Sequence, residues 1–311
     1  VTPVCIVTGF LGSGKSTLIS RLLRDGRFAN TAVIVNEFGE IALDHELIAS
    51  ADETLVQLAT GCLCCAVRSD LVATLLDLQR RRAAGEIAFG RVLIETSGLA
   101  DPAPVLHTLM ADAAVRECFE IAGVLTLVDA VLGEQTLARH PEARRQVVFA
   151  DRLLVSKTDV APGSADLMAA IHALNADVPI GMVEPDLLFA PANRLPPDAV
   201  ARHTGGIDSM AVRRVAPVPA AALTLWLQSL AEHCGARLLR LKGLVDLAEM
   251  RGRPAVVHAV QHVIAPLEWL EGWPSDDRAS RIVVIGEGIP PHFPARLLDA
   301  VIDEVLEESG G

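Results

Sequence analysis

A doubly wound, mainly parallel α/β sheet followed by a smaller α+β domain is the architecture that three features of this sequence predict. Short apolar runs rich in β-branched residues alternate with helical stretches up to about residue 184. A glycine-rich loop, Gly9-Phe10-Leu11-Gly12-Ser13-Gly14-Lys15-Ser16-Thr17, joins the first run to the first helical stretch. The alternation then stops in a segment carrying Pro185, Pro191, Pro196, Pro197 and Gly205-Gly206, and a different rhythm resumes beyond it.

In chain order, residues 4–8, 32–36, 92–95, 124–128 and 152–156 are continuous apolar runs of strand length. Such runs mark strands covered on both faces of a parallel sheet. Helical stretches at 16–24, 69–82, 103–110, 144–150 and 164–174 separate or follow them, an alternation that packs through right-handed crossovers. The first domain is therefore expected at 1–184, a linker at 185–208 and the second domain at 209–311. There a strand at 209–215, a helix at 220–234, strands at 237–246, 255–262 and 281–285 and a last helix at 295–308 describe a small α+β unit.

Composition narrows the function classes. With 51% hydrophobic residues in 311, the chain can bury one large core and a second small one, which excludes disorder. Six cysteines are too few for a disulfide-stapled secreted fold of this length. The net charge is −12, no basic run exceeds Arg80-Arg81-Arg82, and aromatics are 4% with no tyrosine, so nucleic acid is not an expected partner. No apolar stretch reaches the roughly 18 residues that span a bilayer. Residues 1–11 lack a preceding basic region and a small-residue cleavage site, and read as a buried strand. A cytoplasmic location with reduced thiols and no membrane partner is expected.

The glycine-rich loop fits G-x-x-x-x-G-K-[ST] between a strand and a helix, the context that gives the pattern its meaning. Gly9, Gly12 and Gly14, with Ser13 between them, let successive N–H groups point at phosphate oxygens. Lys15 neutralises the β- and γ-phosphates, the Ser16 hydroxyl is placed for Mg²⁺, and Thr17 completes the motif at a helix start whose dipole favours an anion. After the last strand of the sheet, Ser156-Lys157-Thr158-Asp159 resembles the guanine-reading motif N-K-x-D. Asp159 would accept from the N1 and N2 donors that adenine lacks, and the Lys157 stem would stack on the base. Ser156 replaces the usual Asn, so one side-chain amide is missing.

Two acidic runs fall where nucleotide switches would lie. Asn36-Glu37-Phe38-Gly39-Glu40 follows the second strand, and Glu95-Thr96-Ser97-Gly98 follows the third. Glu95 can hold Mg²⁺ directly or through water, and Gly98 can give its N–H to a γ-phosphate. Acidic residues also cap helices and end strands everywhere, but two of them in register with a phosphate loop favour the first reading. Three of the six cysteines, Cys62, Cys64 and Cys65, sit within four residues. In a reducing compartment that clustering reads as ligation of a soft metal such as Zn²⁺, with few enough ligands to leave the site open. Glu37 or Glu40 could complete it, and His45 and His107 are further candidates; the alternative is cysteines filling a core. Cys5, Cys118 and Cys234 are isolated and read as core thiols.

Together these residues resemble the CobW-type family of metallochaperone GTPases, related to the nickel-insertion GTPases of urease and hydrogenase. The resemblance rests on the loop at 9–17, Asn36-Glu37-Phe38-Gly39-Glu40, Gly61-Cys62-Leu63-Cys64-Cys65, Glu95-Thr96-Ser97-Gly98 and Ser156-Lys157-Thr158-Asp159. Ala66-Val67-Arg68 and Ala100-Asp101-Pro102 also match, as do Arg240-Leu241-Lys242-Gly243, Gln261-His262-Val263, Trp273-Pro274 and Ile285-Gly286 in the second domain. The resemblance implies slow GTP hydrolysis with Mg²⁺ and a Zn²⁺ or similar divalent ion on Cys62, Cys64 and Cys65. It also implies delivery to a client apo-metalloprotein that docks in part on the second domain. An oligomer that depends on nucleotide or metal is compatible with such a switch. The chain lacks the His-rich segment that some members carry. Two rivals remain: a metal-responsive module whose GTP site only gates docking, and a P-loop kinase of a small metabolite, which leaves the cysteines and Lys157-Thr158-Asp159 unexplained. All three tryptophans, Trp226, Trp269 and Trp273, fall in the second domain.

Overall fold

The computed structural model describes residues 1–36, 55–57, 65–176, 178–181, 188–189, 202–204 and 206–309. The chain divides into two compact units, Val1–His172 with Val178–Ala192, and Ala173–Asp177 with Asn193–Gly311.

The first unit runs β1 (Thr2–Gly9), α1 (Lys15–Leu23), β2 (Thr31–Asn36), β3 (Leu55–Gln57), α2 (Cys65–Ala83), β4 (Arg91–Thr96), α3 (Ala103–Ala111) and α4 (Ala113–Cys118). It continues with β5 (Phe119–Asp129), α5 (Gly133–Arg139), α6 (Pro141–Phe149), β6 (Arg152–Ser156) and α7 (Ala165–Leu174). The sheet order is β3-β2-β4-β1-β5-β6, and each neighbouring pair is parallel. Parallel strands end on one edge, so the segments after β1, β4, β5 and β6 converge there. The chain leaves β1 for β2 on one side and later passes to β5 on the other. The reversal falls at the C-terminal end of β1, where ligands of open α/β sheets bind.

Side-chain alternation explains why both faces are covered. Cys5 and Val7 of β1, Val33 and Val35 of β2 and Leu93 of β4 pack with Ile19 and Leu22 of α1 and with Leu125 and Leu127 of β5. Val4 and Ile6, equally buried, point the other way. Burying each large aliphatic side chain is worth about 1.5–3 kcal/mol, and this packing holds the start of α1 beneath the glycine-rich loop. Within β5 the register slips by one residue: Val4 faces Ile121, but Cys5 faces Gly123, leaving Ala122 as a bulge. The Asp151 carboxylate accepts the Val124 N–H at 2.9 Å beside it.

The sheet and its helices follow the predicted alternation, with differences that have local causes. β5 begins at Phe119, because the bulge interrupts the alternation that would reveal its first residues. The helix read from residue 144 starts at Pro141, a residue suited to the first helical turn because its missing N–H is not needed there. The expected helix at 69–82 is part of α2, which begins earlier at Cys65. β3, α4 and α5 have three, six and seven residues, too short to give a periodic signal.

The second unit contains β7 (Arg202–Thr204), β8 (Ile207–Arg214), α8 (Ala220–Cys234), β9 (Leu238–Val245), β10 (Ala255–Val260), β11 (Val263–Ile264), β12 (Glu268–Trp269), β13 (Ser280–Glu287) and α9 (Phe293–Ser309). Its sheet has the order β11-β10-β9-β13-β8-β7, with β12 paired to β10 and each pairing antiparallel. β7 lies inside the stretch read from sequence as linker. Trp226 of α8 is fully buried among Met210, Leu241, Ile282, Leu298 and Ile302, and its Nε1 donates to the Pro294 carbonyl at 2.9 Å. Among the described residues no helix is long and apolar enough to cross a membrane.

Candidate functional site

The glycine-rich loop wraps between β1 and α1 with Gly12 at φ 70° and Gly14 at φ 90°, left-handed positions that a side chain would strain. Gly14 caps α1 and the helix begins at Lys15. Lys15 is nearly buried; its ammonium donates to the carbonyls of Gly9 at 2.9 Å and Phe10 at 3.3 Å, across the mouth of the loop. An ammonium held at a helix N-terminus is a site for a polyanion. Ser16, one residue further, donates its hydroxyl to Glu95 Oε1 at 2.9 Å. Glu95 is buried near the end of β4, opposite Val7 in the register. Thr17 is exposed on the first turn.

The segment after β4 presses onto the phosphate loop. A Cβ on Gly98 would lie 2.7–2.8 Å from side-chain and backbone atoms of Leu11, so only glycine fits this approach. Behind the same segment stands α6. The Gln146 amide, 1% exposed, donates to the carbonyls of Gly98 and Ala100, both at 3.1 Å. Arg145 pairs with Asp101 at 2.9 Å, and the ring of His140, which caps α6, lies 4.5 Å from that of Phe10 in the loop.

The segment after β6 is tied to the same place. The Ser156 hydroxyl donates to the Ser13 carbonyl at 2.7 Å, so the residue standing where Asn is usual still reaches the phosphate loop. Lys157 is left-handed, φ 58°, and its ammonium meets Asp129 Oδ2 at 2.6 Å. Asp129 ends β5 and also accepts the N–H groups of Val131 at 2.7 Å and Leu132 at 3.3 Å. Burial alone would raise its carboxyl; the Lys157 ammonium and the two amides outweigh this and hold it below the ordinary carboxylate range. Asp159 is exposed beyond the turn.

Residues 3–181, more than half of the chain, match the CobW/HypB/UreG nucleotide-binding domain. The chain belongs to this family. Residues 207–302 match the cobalamin synthesis protein cobW C-terminal domain. The zinc chaperone YjiA of Escherichia coli (strain K12) is 31% identical over 302 residues, which cover 92% of this chain and 94% of that protein. The zinc-regulated GTPase metalloprotein activator 1 of Saccharomyces cerevisiae is 31% identical over 188 residues, 53% of this chain and 43% of that one. The crystal structure of Zn(II)-bound YjiA GTPase from E. coli superposes with a TM-score of 0.74 at 26% identity, covering 96% of this chain and 98% of that one.

Within this CobW-family fold, Gly9, Gly12, Ser13, Gly14, Lys15, Ser16, Glu95, Gly98, Lys157 and Asp159 all lie at the C-terminal edge of the first sheet. Glu37, Glu40, His45, Cys62 and Cys64 lie outside the described residues, and Cys65 is the first residue of α2. Among the described residues no group of three or more His, Cys, Asp and Glu side chains could hold a metal ion. Cys5 and Cys234 are core thiols, and burial pushes the Cys5 thiol up to about 12; Cys118 is half-buried. Sequence reasoning passed over Asp129 and Gln146. Asp129 closes an apolar run as an ordinary strand end would. Gln146 had a signal, as a polar residue directly before Val147-Val148-Phe149-Ala150.

Proposed function

We propose that this protein is a GTP-hydrolysing metallochaperone that binds Zn²⁺ or a similar divalent ion at Cys62, Cys64 and Cys65 and delivers it to a client apo-metalloprotein. The observation that carries the reading is the 2.7 Å bond from Ser156 to the Ser13 carbonyl. It ties a guanine-reading loop to a phosphate loop, so one nucleotide can engage Asp159 with its base and Lys15 with its phosphates. Relatives named as zinc chaperones and zinc-regulated GTPase activators support the metal and the turnover.

In this reading the loop amides and the Lys15 ammonium hold the β- and γ-phosphates, and the Gly98 N–H turns toward the γ-phosphate. Ser16 and Glu95 offer a hydroxyl and a carboxylate oxygen side by side, a donor set suited to a hard cation. They would hold Mg²⁺, which supplies neutralisation of charge on the leaving phosphate. Glu37 and Glu40 are the switch residues nearest in sequence to the cysteines, and nucleotide state sets the metal affinity through them. That coupling is reciprocal: if GTP tightens metal binding, metal tightens GTP binding by the same factor. Hydrolysis is expected to be slow, in the cytoplasm where the cysteines stay reduced, and the client is proposed to dock in part on the second unit.

The test is phosphate release over many turnovers with and without Zn²⁺, on anaerobically purified protein and on Cys64→Ala, beside calorimetric titration of GTP and ATP. Preference for GTP, turnover, and loss of bound metal in Cys64→Ala are expected. Equal GTP and ATP affinity, or one Zn²⁺ affinity in the GTP, GDP and empty states, would overturn the reading.

A further inference from the structure

Gln146 is a buried polar residue that the nucleotide mechanism does not use, and its surroundings give it a task. Its side chain donates to two carbonyls of one segment, Gly98 and Ala100. Its other end, Oε1, is buried and has no hydrogen-bond partner among the described residues, as is true of the Ser13 hydroxyl. Gln146 and Ser13 line the same cavity of about 120 Å³, together with Phe10, Leu11 and Asp129. The backbone carbonyl of Gln146 is also engaged, accepting the Thr126 hydroxyl of β5 at 2.7 Å.

We propose that Gln146 is a positioning residue that sets the 98–101 segment for the γ-phosphate and couples it, through α6, to the phosphate loop. Carbonyl and N–H point to opposite sides of a trans peptide. Pinning the Gly98 carbonyl toward α6 therefore turns the Leu99 N–H the other way, where it lies 3.5 Å from the Ser97 hydroxyl. It also fixes the rotation of Gly98, whose own N–H would face the γ-phosphate. Pinning the Ala100 carbonyl likewise turns the Asp101 N–H away from α6. The helix that pins them is fixed at its other contacts: the His140 ring lies beside Phe10 of the phosphate loop, and Arg145 holds Asp101. Movement of either loop is thus transmitted through one short helix. A leucine or methionine at 146 would leave both carbonyls without donors and free the segment to rotate. This rests on the nucleotide reading above, yet the segment's order can be measured without turnover.

The experiment compares the full chain with Gln146→Met, which keeps side-chain length and removes the donor. Amide exchange over residues 97–103 is followed in the nucleotide-free protein, with GDP and with a non-hydrolysable GTP analogue, beside kcat and KM for GTP. Exchange in this segment is expected to rise about tenfold in the variant, and kcat to fall about tenfold, while GDP affinity stays within about threefold. The added protection that the GTP analogue gives the parent disappears. A folded Gln146→Met with parental exchange, parental kcat and a parental ratio of analogue to GDP affinity overturns the proposal. If the parent binds both nucleotides but releases no phosphate, the GTPase reading fails, and exchange with the affinity ratio still decides the role of Gln146. Should Gln146→Met fail to fold, Arg145→Met releases Asp101 from the same helix. It is expected to raise exchange at 99–103 and lower kcat about threefold, and no change in either also overturns the proposal.

Discussion

The Lys157 ammonium lies 2.6 Å from Asp129 Oδ2, joining the ends of two neighbouring strands, β5 and β6. The contact does more than pair charges. It holds Lys157 in a left-handed backbone conformation that a non-glycine residue adopts only when its surroundings impose it, at a cost of about 1–3 kcal/mol. The loop that presents Asp159 keeps its shape because that pair is in place.

Removing the pair should therefore damage recognition more than stability. Lys157 is 39% exposed at its side chain, so solvent screening limits the stability lost in Asp129→Asn to about 1 kcal/mol. Guanine nucleotide affinity is expected to fall about tenfold, measured by calorimetry beside a urea unfolding curve.

The same carboxylate sets an acid limit. Its folded-state pKa is depressed, so its contribution is complete above the unfolded value of about 3.9 and is lost as pH falls through the lower folded one. Stability from this group should be flat at neutral pH and decline only in acid. Urea midpoints of Asp129→Asn across pH should lack that acid decline, which then appears in the difference between parent and variant.

Ser156→Ala removes the hydroxyl bond to the Ser13 carbonyl, a neutral contact worth about 1 kcal/mol. GDP affinity should fall about fivefold. Ser156→Asn, which restores the amide usual at this position, should bind at least as tightly as the parent. Both are read by the same titration.

Gly98→Ala would drive a methyl group into Leu11, where backbone atoms cannot yield as a flexible side chain would. The strain should cost about 1–3 kcal/mol or push the 98–101 segment off the phosphate loop. A lower melting temperature and slower phosphate release are expected together.

In the second unit, Trp226→Phe deletes the bond to the Pro294 carbonyl and leaves space in a fully buried cluster. A loss of about 2 kcal/mol is expected, seen as an earlier urea transition in the fluorescence of the remaining tryptophans.

The parts of the site carried by backbone geometry were the ones legible in the sequence. Glycines with Lys15 between a strand and a helix leave few other structures, and the apolar runs gave the parallel sheet. Ser156 looked like a defect because the motif is written for an amide; its shorter side chain meets the Ser13 carbonyl because β6 brings it close enough. Asp129 and Gln146 escaped because their roles depend on partners 28 and 48 residues away in the chain, Lys157 and Gly98. Local patterns carry no information at that range.

The bulge at Ala122 is one spare residue in β5, so chain length can change there without re-facing the residues of the site. Beyond it, Leu125 and Leu127 face α1 while the Thr126 hydroxyl meets α6. Because side chains alternate, deleting Ala122 would close the bulge into a regular ladder and leave both sets in place. Deleting a residue between Val124 and Val128 would instead exchange the side chains beyond it and carry the Asp129 carboxylate to the opposite side of the sheet. The stretch from Phe119 to Gly123 can therefore lose its one extra residue without disturbing the far end of β5, while the run from Val124 to Asp129 must keep its length.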